Sequence, residues 1–140
     1  MFAELLNKMT NGLVENDLEA QQINNSMTIR IVQKTAAAKI SEIHSRYDVE
    51  KEQVRNEINN LDDKAASNEY EDLMAELNDL KSEEEREVEA VEQQANDRET
   101  AIQLENDNLS TRLEAMKADD EAIDEALQKD IESEFGYFNH

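Results

Sequence analysis

The amino-acid sequence predicts an all-α fold: a long antiparallel helical hairpin of the coiled-coil type that assembles with further copies of itself. The chain of 140 residues has no proline and only two glycines, Gly12 and Gly136, so almost all of it lies between strong helix breakers. Two stripes of apolar residues recur every three or four positions, and a short polar stretch separates them. Charged residues make up 35% and aromatic residues 4% of the chain, which favours solvated helices over a compact globular core.

The first helical arm is predicted at residues 13–61, after an N-terminal segment at residues 1–12. Its apolar positions have the spacing of an amphipathic helix, namely Ile29, Val32, Ala36, Ile40, Ile43, Tyr47, Val54, Ile58 and Leu61. Residues 62–69 follow as an acidic tip, whose Asp, Ser and Asn residues cap helices and favour turns.

The second arm is predicted at residues 70–135, with Ser67 or Asn68 as its N-terminal cap. Its apolar stripe comprises Tyr70, Leu73, Leu77, Leu80, Val88, Val91, Ala95, Ile102, Leu109, Leu113, Met116, Ile123, Leu127, Ile131 and Phe135. Residues 136–140 form an aromatic tail, and we treat residues 1–140 as a single hairpin unit.

A connection of about seven residues usually makes two helices antiparallel neighbours, so facing residues should have numbers that add to about 131. This register predicts the apolar pairs Leu61–Tyr70, Ile58–Leu73, Val54–Leu77, Ile43–Val88, Ile40–Val91, Ala36–Ala95, Ile29–Ile102, Met27–Leu104 and Leu18–Leu113. It also predicts the ion pairs Arg55–Glu76, Arg46–Glu85, Lys39–Glu92, Lys34–Asp97 and Glu19–Arg112. The alternative is one helix that continues through residue 65 and forms an intermolecular coiled coil.

The second stripe keeps one apolar residue every seven positions from Val88 to Ile123, although a coiled-coil seam needs two in each heptad. In the hairpin, the first arm supplies the missing half. At the predicted register Leu109 faces Gln22 and Met116 faces Glu15, so we expect this part of the stripe to need another copy.

The formal net charge of −21 is unevenly distributed, because four acids and four bases cancel within residues 1–40. Residues 41–140 carry all of it, which argues against partners such as nucleic acid and anionic membranes. The sequence has no apolar run of membrane-spanning length, and its first residues do not have the pattern of a cleaved secretory signal. We expect either a cytoplasmic protein or one exported without such a signal.

Catalytic, cofactor and metal sites are not expected. The chain has no cysteine, and with two glycines it cannot form a glycine-rich phosphate loop or a nucleophile elbow. The acidic runs Glu83–Glu85 and Asp119–Glu121 lack the glycine of a calcium loop and are interpreted as solvated helix faces. His44 lies beside the stripe residue Ile43 and is interpreted as a flanking or solvent-facing residue.

All three phenylalanines lie near the chain ends, which a hairpin brings together. Aromatic residues contribute strongly to interfaces, so we interpret this cluster as a docking surface. The alternative is a local cap that closes the base of the hairpin with Leu5, Leu6 and Leu127. The predicted assembly interface comprises Phe2, Leu5, Leu6, Leu13, Val14, Ile31, Val32, Phe135, Tyr137 and Phe138.

Two segments, QQINNSMTIRIVQKTAAAKI near the start and ALQKDIESEFGYF near the end, give the chain a pattern similar to one known class of protein. It resembles the helical-hairpin filament and needle subunits of type III secretion and the terminal helices of flagellins. The resemblance implies a structural homopolymer whose paired terminal helices polymerise, with export machinery as a partner and an extracellular filament as the product.

The second functional hypothesis is an intracellular coiled-coil adaptor or a chaperone-like binding module that grips one partner with its terminal aromatic residues. Prefoldin-like chaperones share the hairpin but have strands between their arms, and residues 62–69 lack the alternation of a strand.

Overall fold

The computed structural model describes residues 1–62 and 68–138, with side chains as far as Phe135. It contains two α-helices, α1 (Phe2–Asn59) and α2 (Asn68–Phe138). The two helices pack against each other, which confirms the predicted all-α helical hairpin. The alternative of one uninterrupted helix is wrong, because α1 ends at Asn59 with a tighter final turn in which the Leu61 amide donates to the Ile58 carbonyl.

Both helices are longer than the arms predicted from the sequence. Helix α1 begins at Phe2, whereas the predicted arm begins at residue 13, since Gly12 costs a helix interior only about 1 kcal/mol and does not stop it. Helix α2 begins at Asn68, with Glu69 and Glu71 in a first turn whose dipole favours acids, and it continues to Phe138. Most of the predicted tip, residues 63–67, and residues 139–140 of the predicted tail lie outside the described residues.

Contacts group the chain into two compact units, which we describe separately. The loop unit is Arg30–Glu99, and the terminal unit is Met1–Ile29 with Thr100–His140. In the loop unit Val54, Leu73 and Leu77 form a buried cluster, and the partly buried side chains packed against it are those of Ile58, Leu61 and Leu80. This cluster contains the predicted pairs Val54–Leu77 and Ile58–Leu73, so the antiparallel register is confirmed there.

The core of the terminal unit is a cluster of Leu18, Leu109 and Leu113, with Val14 and Met116 packed against it. Leu18 is 1% exposed and Leu109 is 3% exposed. The expectation that Leu109 needs another copy is therefore wrong. A knob on one helix inserts between residues four apart on the other, so Leu18 covers both Leu109 and Leu113.

Other predicted pairs are absent. Met27 and Leu104 are both exposed, because their side chains lie outside the packed face of each helix. None of the five predicted ion pairs between helices forms among the described residues. Arg46 instead pairs with Glu87, and Arg55 lies 3.7 Å from Glu52 of its own helix. Long side chains reach neighbouring turns, so a register alone does not select their partners.

Candidate assembly interface

In the terminal unit, α1 meets α2 through a partly polar face. The buried Asn11 side chain donates hydrogen bonds to the Asp119 carboxylate, at 2.6 Å, and to the Asp120 carboxylate, at 3.1 Å. Further along, the Gln22 amide donates to the Ser110 hydroxyl at 2.8 Å, and the Asn25 amide donates to the Asn106 side-chain oxygen at 2.9 Å. Polar groups therefore occupy several turns of this inner face.

The opposite face of α1 is more apolar and is exposed. We define its outer seam as the residues whose spacing alternates between four and three, which are Phe2, Leu6, Met9, Leu13, Asn16, Ala20, Ile23 and Met27. The six large apolar side chains among them are between 53% and 80% exposed. This alternation is the a and d pattern of a coiled-coil heptad, which normally faces another helix.

The heptad also shows that the outer seam is directed away from α2. Counted from Leu6 as position a, the f positions are those of Asn11, Leu18 and Asn25. These residues form the inner face: Asn11 and Leu18 are buried, and Asn25 hydrogen-bonds to α2. Position f lies on the far side of a helix from a and d, so the outer seam has no partner among the described side chains of the terminal unit.

Six residues of the predicted assembly interface have exposed side chains, which are those of Phe2, Leu5, Leu6, Leu13, Ile31 and Phe135. Val14 and Val32 of the predicted interface are less exposed than these six residues. Val32 is buried and Val14 packs against the Leu18 cluster, because both lie on the inner side of α1. The side chains of Tyr137 and Phe138 lie outside the described residues.

The sequence interpretation missed Met9, Ile23 and Met27, which the structure places on the outer seam. The signal was present in the sequence, because the heptad that begins at Phe2 and Leu6 continues through these residues. Among the described side chains, the alternative of a local aromatic cap does not hold for Phe2 and Phe135. Phe2 is 80% exposed and Phe135 is 66% exposed, so Leu5, Leu6 and Leu127 do not bury them.

Charged residues are almost absent around the outer seam. The e and g positions beside it hold Ala3, Leu5, Thr10, Gly12, Asp17, Glu19, Asn24 and Ser26. Only Asp17 and Glu19 of this set carry a charge, whereas coiled coils usually have opposite charges at e and g that select the partner. The outer seam is therefore suited to a partner whose own flanking positions are also uncharged.

No known protein family, curated protein or solved structure matches the chain. The resemblance to secretion filament subunits and flagellins therefore rests on the pattern of residues alone, as an analogy at the level of the fold.

The loop unit contains a buried charged group that the sequence interpretation placed on a solvated face. Glu84 is 8% exposed, and its two carboxylate oxygens lie 2.7 Å from the Lys51 ammonium and 2.7 Å from Nδ1 of His44. His44 is about half exposed, as expected of a residue that flanks the stripe, and its ring also contacts Glu84. The Lys51 ammonium, and secondarily the His44 ring, lower the pKa of Glu84, and Glu84 in turn raises the pKa of Lys51.

A gap in each apolar stripe marks this charged group. In α1, Lys51 occupies the inner position between the stripe residues Tyr47 and Val54. In α2, Glu84 occupies the inner position between the stripe residues Leu80 and Val88. At the predicted register Lys51 faces Leu80 and Glu84 faces Tyr47, so the two gaps are offset by about one helical turn, which the long Lys51 side chain spans. A polar pair within a seam costs stability but can favour one alignment of the helices over others.

The terminal unit also contains a close pair of carboxyl groups. Oε1 of Glu15 is buried without a donor, and the neighbouring Asp120 carboxyl raises the pKa of Glu15, with burial adding to the effect. Two ionised carboxylates both accept hydrogen bonds, so these groups can bond to each other only when one of them holds a proton.

The groove between the helices beside Ala36 and Ala95 has a volume of about 70 Å³, which is too small for a small-molecule site. Typical ligand sites have roughly 300 to 1,000 Å³. Within residues 1–62 and 68–138, no three His, Cys, Asp or Glu side chains are grouped so that they could hold a metal ion. Over the same residues, neither helix has a stretch apolar enough to cross a membrane. The absence of enzymatic activity stays a prediction.

Proposed function

We propose that the protein is a structural, self-assembling coiled-coil protein, a filament subunit whose copies join through the outer seam of α1 and the apolar residues near the chain ends. The observation that carries this proposal is the outer seam itself. It is an ordered heptad of large apolar side chains that α2 leaves exposed. A contiguous apolar patch of more than a few hundred Å² is unusual on a monomer and is typical of interaction sites.

The distribution of charge supports self-assembly at this face. The outer seam lies within the first 40 residues, whose acids and bases cancel, while residues 41–140 carry the net charge of −21. Copies can therefore approach along the neutral segment, where repulsion is weakest. The acidic remainder keeps the assembly soluble.

Extension into a filament needs a second surface, because a seam that pairs two copies closes on itself. Phe135 and Ile131 of α2 are exposed in the terminal unit, and they do not belong to the outer seam. We propose that this apolar pair joins one pair of copies to the next.

The test is the mass and shape of the purified protein, measured by analytical ultracentrifugation and negative-stain electron microscopy over a range of concentration and salt. We expect concentration-dependent oligomers that grow into ordered polymers as salt screens the acidic charge. The double variant Leu13→Glu/Ile23→Glu should abolish assembly. The matched control is Val49→Glu, an equally exposed apolar residue of the loop unit, which should assemble normally.

The contribution of the chain end is tested by Ile131→Ser/Phe135→Ser. We expect this variant to form small oligomers that no longer extend into polymers. A wild-type protein that stays monomeric at all concentrations and salts would contradict self-assembly, and would favour the adaptor hypothesis, in which the outer seam binds a different protein.

A further inference from the structure

On the basis of the proposed self-assembly, we infer that the partner of the outer seam is the outer seam of a second copy. The two α1 helices pack parallel and in register as a two-helix coiled coil, with Asn16 opposite Asn16.

The chemistry of the flanking positions favours a second copy over a different helix. A coiled-coil partner usually has charged e and g residues, which need opposite charges across the interface. Apart from Asp17 and Glu19, the outer seam offers none. In the parallel pairing, position g of one copy meets the next e of the other, so Glu19 meets Asn24 and Asp17 meets Gly12. No two acids face each other, and no charge needs a basic partner.

The area of contact is sufficient for a stable dimer. Residues 2–27 span about seven helical turns, or roughly 38 Å. Two helices in contact along this length bury on the order of 1,600 Å² in total, which is the standard size of a specific protein interface. The six large apolar residues of the seam, now at least half exposed, would supply its centre.

The single polar residue of the seam favours the parallel direction. In a parallel coiled coil the same heptad position of each copy faces its equivalent, so the Asn16 amides can hydrogen-bond to each other. In the antiparallel alignment that covers residues 2–27, position a faces position d, and Asn16 meets Leu13. The buried amide would then have no partner in either copy, which disfavours this alignment.

Repulsion between the acidic α2 helices does not prevent this pairing. In the terminal unit, α2 packs on the f side of α1, which is opposite the outer seam. Two α1 helices therefore separate the two α2 helices, at three interaxial spacings of about 9 Å each. That separation is about three times the Debye length of roughly 8 Å at physiological salt.

The absence of cysteine allows a direct test by disulfide cross-linking. Leu6→Cys places a thiol at one end of the seam, where only a parallel pair brings it against the same residue of the second copy. Asn7→Cys is the matched control, since this exposed neighbour points away from the seam. A mixture of Leu6→Cys and Ile23→Cys reports the antiparallel pair. Oxidised samples are examined on non-reducing gels, and the mass of each reduced protein is measured by ultracentrifugation.

We expect Leu6→Cys to form dimers at least tenfold faster than Asn7→Cys, and the mixed pair to give few heterodimers. Heterodimers in excess would overturn the parallel direction. Oligomers in which neither arrangement cross-links would overturn pairing between seams and leave the proposed self-assembly standing. A monomeric reduced protein would contradict both proposals.

Asn16→Leu is a second, independent probe, because it removes the polar residue and leaves the inner face unchanged. A buried polar residue in a coiled-coil seam lowers stability and can fix the pairing, an effect best known for Asn at position a; Asn16 occupies position d. We expect the variant to associate at least tenfold more tightly and to lose the single parallel pairing of its α1 helices. Unchanged association would show that Asn16 is not buried between copies.

Discussion

Within the acidic run Glu83–Glu85, the environment of Glu84 differs from that of its two neighbours. It is held between the helices of the loop unit by Lys51 and His44, whereas Glu83 and Glu85 are exposed. Removing one member of a buried ion pair leaves the other without compensation, while replacing both by apolar residues is often neutral or stabilising.

We therefore predict that Glu84→Gln lowers the free energy of unfolding at neutral pH by about 1–2 kcal/mol. This loss is smaller than that expected for a fully buried ion pair, because Lys51 retains some contact with water. Lys51→Met/Glu84→Leu should restore most of the stability. Urea denaturation followed by circular dichroism, at fixed protein concentration, measures both changes. Glu83→Gln is the control and should have little effect. An unstable double variant would contradict the account.

The pH dependence of the stability that Glu84 contributes follows from the direction of its pKa shift. The pKa of Glu84 is lowered in the folded state, so its contribution is fully present above the unfolded value of about 4.5 and is lost as the pH falls through the folded pKa. We predict that the stability difference between wild type and Glu84→Gln shrinks between pH 5 and pH 3. A constant difference over this range would show that the ion pair does not stabilise the fold.

Glu15 should behave in the opposite way. Its pKa is raised in the folded state, so protonation stabilises the fold below the unfolded value of about 4.5, and this contribution is lost as the pH rises through the folded pKa. Glu15→Gln removes a repulsion at pH 7, so we expect a higher midpoint of thermal unfolding there and little change at pH 4. Glu19→Gln, on an exposed position of the same helix, serves as the control.

At the scale of the element, α1 carries two faces with separate tasks. In the terminal unit, Leu18 on the inner face packs against α2, and Leu13 on the outer seam is free for another chain. The two leucines lie five residues apart in one helix, so their helix propensities are the same and only their surroundings differ.

Leu18→Ala should therefore lower the free energy of unfolding by about 2–3 kcal/mol, at the lower end for buried leucines because a two-helix core can partly collapse. Leu13→Ala should weaken association in ultracentrifugation, while the unfolding of the dilute monomer changes by less than about 0.5 kcal/mol. Equal effects of the two substitutions on the monomer would contradict the assignment of the two faces.

At the scale of the whole molecule, we expect the net charge of −21 to affect both the stability of the fold and the proposed assembly. An increase in ionic strength should raise the midpoint of thermal unfolding of the dilute hairpin. The reason is that screening reduces repulsion among the acidic side chains of residues 41–140. We expect an increase of several degrees between about 10 mM and 500 mM NaCl, across which the Debye length falls from about 30 Å to about 4 Å. KCl at equal ionic strength is the control and should give the same increase, since screening depends on ionic strength. A midpoint independent of salt would show that repulsion does not limit stability.

The fold was predictable from the sequence because it depends on the periodic spacing of apolar residues and on one short polar connection. The spacing of Val54, Ile58, Leu73 and Leu77 specifies two amphipathic helices, and the short polar stretch between them requires an antiparallel return. The burial of Glu84 could not be predicted from the sequence, since the two gaps are offset by about one turn and only the structure shows that the Lys51 side chain reaches Glu84.

The candidate interface was only partly predictable. In the first 30 residues two stripes compete, one through Phe2, Leu6 and Leu13 and one through Asn11 and Leu18, and the first is the more apolar. The sequence by itself determined the helices, their antiparallel pairing and the cancelling charges of residues 1–40. Only the tertiary structure decided which stripe meets α2, because the side chains that α2 presents, the Asp119 and Asp120 carboxylates among them, bind the polar stripe and leave the apolar one exposed.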